Sequence, residues 1–167
     1  MRTDLPTRMV QEAMKLEAEG MVTLYRLDLR PPNSATFSLF ICPHKTVVWQ
    51  GAEWLNETPC MITDTGLFSS GETVRPKFTI VNPEGIFSRY VHQKYVDNML
   101  IRRYRVLRGD VENDLNSFEL AQWRVSKVIG LDRDTLVCEL RSSLDGPLFR
   151  IPVETYRPPK YPTVSVT

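Results

Sequence analysis

The chain has 167 residues, about one domain on ordinary size priors, and its 21 Lys plus Arg stand against 20 Asp plus Glu for a net charge of +1. That balance supplies no global field to hold a polyanion or an anionic membrane. With 42% hydrophobic and 25% charged residues, the composition is that of a folded domain and excludes disorder as the main state.

The start of the chain carries Arg2 and Asp4 and no apolar leader segment, and no stretch approaches the ~18 apolar residues of a spanning helix. The expectation is a chain that is neither secreted by a signal peptide nor membrane-embedded. A first amphipathic helix is predicted over 4–19, capped by Thr3 or Asp4, with Pro6 in its early turn and Gly20 at its end. Leu5, Met9 and Ala13 form one apolar row and Val10, Met14 and Ala18 another.

From Met21 the pattern changes to short β-rich runs: 22–29, 36–41, then 46–50 and 52–54 as a hairpin around Gly51 that places Trp49 and Trp54 near each other. Residues 73–82 alternate, with Val74, Pro76, Phe78 and Ile80 on one face, and Pro76 points to an edge strand or to a strand start. Asn82-Pro83-Glu84-Gly85 is a turn into a second helix with Ile86, Phe87, Tyr90, Val91 and Tyr95 as its stripe and Asn98 as its close. Strands over 99–108, 118–129 and 135–141 follow, with turns at Gly109-Asp110, at 130–134 and at Asp145-Gly146-Pro147. Prolines 152, 158, 159 and 162 make 157–167 an extended arm. Residues 1–156 thus form one domain that is mainly β with two helices, an α+β antiparallel β-sandwich or squat barrel.

The residues offer little for catalysis. The two histidines, His44 and His92, have no G-x-S-x-G, H-E-x-x-H or phosphate-cradling loop beside them. The acid pairs Asp132 with Asp134 and Glu112 with Asp114 fall in turns, where solvated carboxylates are commonplace. Cys42, Cys60 and Cys138 are odd in number and far apart, so they read as buried unpaired thiols in a reducing compartment. Cys42-Pro43-His44 supplies two metal ligands where a structural zinc site needs four. No catalytic residue, metal or cofactor is expected.

Two features point to contacts. Arg102, Arg103, Arg105 and Arg108 crowd one strand around Tyr104. Alternation sends Arg103 and Arg105 one way and Arg102 and Arg108 the other, which suits ion pairs with neighbouring strands or subunits better than a single phosphate track. The glycine-bounded loop from Gly66 to Gly71 holds Leu67 and Phe68, either tucked on the core or exposed as an interface tip.

Trp49-Gln50-Gly51 followed by Trp54, the glycine-bounded loop, Val74-Arg75-Pro76-Lys77-Phe78-Thr79-Ile80-Val81-Asn82 and Gly85-Ile86-Phe87 come in order along the chain. Ile101-Arg102-Arg103-Tyr104-Arg105-Val106, Gln122-Trp123-Arg124-Val125 and Leu140-Arg141-Ser142-Ser143 then follow. The ordered set resembles the minor tail protein L family of siphophages. That resemblance implies a tail-tube-like domain repeated as a ring around a DNA channel, at the tail tip of the virion, assembled in the host cytoplasm. It implies as partners other copies of this chain, a distal tail or tube protein above and a baseplate hub protein below, with DNA passing through the lumen without sequence-specific binding. Longer relatives carry a cysteine-rich iron–sulfur domain; the cysteines of this chain match none of its positions, so no cluster is carried over. One tube-type domain per chain favours a hexamer over a trimer, and the alternative from another class is a nucleic-acid-binding β-barrel module.

Overall fold

A computed structural model describes residues 5–15, 20–32, 35–63 and 75–142. The elements in chain order are α1 (Thr7–Ala13), β1 (Met21–Leu29), β2 (Phe37–Ile41), β3 (Val47–Trp49), β4 (Ala52–Trp54), β5 (Cys60–Ile62) and β6 (Lys77–Val81). A 3-10 turn (Pro83–Gly85) then leads to α2 (Ile86–His92), β7 (Leu100–Leu107), α3 (Arg108–Glu112), β8 (Glu119–Leu131) and β9 (Thr135–Arg141).

Seven strands form one antiparallel sheet in the order β2-β1-β7-β8-β9-β6-β5, and β3 with β4 make a separate hairpin. The sheet curls into a half-barrel. Two register shifts where β8 meets β9, between Val125 and Lys127 and between Val128 and Gly130, supply local bends of the kind that turn a flat sheet.

β1 and β7 are interior strands, and both of their faces are covered by apolar clusters. Tyr25, Leu27 and Ile101 look into the larger core with Phe78, Ile80, Leu136, Cys138 and Leu140 from the far half of the sheet. Phe87 of α2 joins that core, and Phe37 of β2 lies 5.9 Å from Tyr90. Leu24 and Val106, on the other face, pack with Cys42, Trp49, Trp54 and Val111, so the tryptophan hairpin and α3 close a second, smaller core.

The fold is the mainly β, α+β architecture expected, with corrections in its parts. The first helix, expected over 4–19, runs only Thr7–Ala13: extended Pro6 is its N-cap, and Met14 and Lys15 already fold back onto the Gln11 and Glu12 carbonyls. No side chain caps it. β6 is an interior strand, not an edge, and begins just after Pro76, whose carbonyl accepts the Leu140 N–H at 2.8 Å. A strand was missed at Cys60–Ile62, three residues being too short a run for alternation to register. Gly109-Asp110 lies within α3, not in a bare turn, making three helices among the described residues. The arm at 157–167 and the turn at 145–147 lie outside them.

Candidate functional site

The arginine strand is β7, in the interior of the sheet, so its side chains meet β1 and β8 before they meet any other molecule. Arg102 lies directly opposite Arg26 of β1. Two guanidiniums in register repel, and buried Asp28 resolves the conflict. Its Oδ2 accepts from Arg102 Nη1, and its Oδ1 accepts from Arg26 Nε at 2.8 Å and from the Ser38 hydroxyl at 2.6 Å. Arg26 Nη2 donates in turn to Ser38 Oγ at 3.1 Å, and the guanidinium stands 5.4 Å from the Phe40 ring centre.

On the opposite face, Arg105 pairs with buried Glu119, its direct partner on β8, at 3.3 Å. Arg103 stacks on Trp123, diagonally across the same pair, at 5.2 Å. Ion pairing with neighbouring strands therefore takes two of the four arginines, Arg102 and Arg105, and an aromatic ring takes Arg103. Arg108 does not share a strand face with Arg102, as alternation suggested: it opens α3 and is exposed, with its N–H on the Gly20 carbonyl at 2.9 Å. Leu67 and Phe68 lie outside the described residues.

Beside the Asp28 cluster the second core opens to solvent. Trp49 and Trp54 lie 6.0 Å apart between ring centres, at the floor of a pocket of ≈ 270 Å³. Trp49 Nε1–H donates to the Leu115 carbonyl at 3.1 Å and Trp54 Nε1–H to the Trp49 carbonyl at 3.2 Å, so both indoles are held by their polar ends as well as their faces. Half-buried Phe40, Tyr104 and Phe118 wall the pocket, and Arg26, Gln50 and Asn116 lie at its rim. The tryptophan hairpin was legible in the sequence. The pocket was not, because Phe40 of β2, Tyr104 of β7 and Phe118, just before β8, are distant in the sequence.

Burial pushes the Cys60 thiol up to about 12, with Cys42 a second cause, and burial alone does the same to Cys138. These are groups that resist ionisation, the reverse of an activated nucleophile. Cys42, Cys60 and Cys138 are all buried and free of disulfides. No group of three or more His, Cys, Asp or Glu residues among the described ones is placed to share a metal ion. None of the described helices is long and apolar enough to cross a membrane.

No family model matches the chain, and no curated protein matches it.

Proposed function

We propose that the chain is a structural protein of a siphophage tail tip, a baseplate tube ring that stacks between the tube or distal tail protein and the hub around a DNA channel. The ordered motifs from Trp49 to Ser143 motivate the reading. The observation that carries it is the open sheet with two unlike edges. β2 has part of its free edge taken by the parallel bridge from Ile41 to Leu55, whereas β5 has no second neighbour among the described strands and holds Met61 57% exposed. A subunit with two different unsatisfied edges suits heterologous, head-to-tail contact, which closes into a ring when the rotation allows. Leu67, Phe68 and the exposed Arg108 are the side chains proposed to reach the neighbour.

The arginines weigh against the nucleic-acid module. Asp28 and Glu119 take up charge that a phosphate track would need free. Cryo-microscopy of tails carrying an antibody to this chain tests the proposal: a labelled sixfold ring at the tip is expected. Absence of label from the tip would overturn the reading, and a threefold ring would overturn the hexamer. Retardation of DNA by the free subunit at physiological salt would favour the nucleic-acid module instead.

A further inference from the structure

The aromatic pocket, one wall of which is Phe40 of β2, has the features of a receptor. Its floor is two indoles fixed by hydrogen bonds, and its walls are rings that stay partly open to solvent. Packed aromatic faces with a polar rim bind proline-rich segments well, because pyrrolidine rings lie flat on them and a polyproline II helix is already stiff before it docks.

The chain carries such a ligand itself. Beyond the described residues the sequence reads Arg157-Pro158-Pro159-Lys160-Tyr161-Pro162, and 157–167 has two basic residues and no acid. We propose that the pocket over Trp49 and Trp54 is the docking site for this chain's own Pro158, Pro159, Tyr161 and Pro162. The reach is suitable. Arg141 is level with Arg124, and Arg124 with Leu100, so the tether starts two strands and four residues from Tyr104, roughly 17 Å along the sheet. Fifteen residues, 143–157, separate the last described residue from Pro158, and a chain of that length spans at most about 50 Å, more than the distance required. A linker able to span the distance makes docking intramolecular, which favours docking within one chain over docking between chains.

Limited trypsin digestion of the full chain tests this. Arg157 precedes proline and resists cleavage, so Lys160 is the tryptic site within the arm. Initial cleavage at Lys160 is expected to be about tenfold slower in the full chain than in a free peptide of residues 155–167, since protection follows the undocked fraction. Phe118→Ala removes a wall and Asn116→Arg fills the rim from an exposed position that no core contact needs. Each should restore cleavage toward the peptide rate, with the circular dichroism melt confirming that the variants are folded. Cleavage of the unaltered chain at the peptide rate would overturn the proposal, as would protection that survives both substitutions. Protection that grows with protein concentration would overturn docking within one chain and assign the arm to a neighbouring copy.

Discussion

Asp28 shows how one side chain can decide whether a sheet tolerates its own charges. Arg26 and Arg102 face each other across β1 and β7, and a single carboxylate binds both while accepting the Ser38 hydroxyl. The guanidiniums are 36% and 26% exposed, so solvent screens much of the gain. Asp28→Asn is therefore expected to cost about 1–3 kcal/mol in urea denaturation, the range for losing charge-assisted bonds to a buried group. Arg102→Met should cost less in the Asp28→Asn background than alone, which a double-mutant cycle measures. The buried cysteines give a second expectation with a definite sign. Cys60 and Cys138 keep their protons up to about pH 12 when folded but release them near 9.0 when unfolded. The folded state then binds more protons above pH 9, so stability is level below that pH and falls between 9 and 12. A rise in stability across that window would contradict their burial, as would rapid alkylation of the native thiols at pH 8.

The ends of α2 illustrate what a sequence conceals at the level of an element. The stripe of Phe87, Tyr90, Val91 and Tyr95 was legible from spacing, and these residues pack on the larger core; Ile86 does not, and is 49% exposed. The stop was misjudged: Asn98 is left-handed too, at φ 62°, but lies beyond the helix, and Lys94, at φ 60°, is the residue that ends it. Tyr95 N–H reaches the Tyr90 carbonyl at 2.9 Å and Lys94 N–H the Val91 carbonyl at 3.0 Å, the two bonds of a Schellman ending. The stacked rings of Tyr90 and Tyr95, 5.8 Å apart, supply its apolar contact. Lys94→Gly should therefore stabilise the fold by about 1 kcal/mol, the cost of a left-handed residue with a Cβ, read as a higher urea midpoint at unchanged slope. At the other end, Asn82 is buried, accepts the Phe87 N–H at 2.8 Å and donates to Ser88 Oγ and the Asp132 carbonyl. Asn82 was read only as part of a turn, because its partners at Asp132 and Asp134 lie about fifty residues on. The same holds for Asp110: wholly buried in α3, it is paired with Arg8 of α1, a contact no local pattern announces. Periodicity reports which face is apolar, and local chemistry reports turns; pairing between distant elements leaves neither mark.

For the whole molecule the open question is which surface meets the next copy. With a net charge of +1, long-range attraction would not drive ring closure, so short-range contact must carry it. Leu67 and Phe68 belong to a segment outside the described residues, between β5 at the free edge of the sheet and β6 beside it. In the proposed ring, these two apolar residues are the side chains that meet the neighbour. If the pair were core, Leu67→Ser with Phe68→Ser would cost roughly 2–5 kcal/mol for each large side chain truncated, and the melting temperature of the subunit would fall steeply. If the pair is an interface tip, the free subunit should melt within about 0.5 kcal/mol of the unaltered one, as exposed substitutions do, while tail assembly fails in complementation. The second outcome is expected, since a few buried apolar anchors dominate the energy of an interface. A large loss of melting temperature would instead return these residues to the core and leave β2, β5 and Arg108 to hold the ring.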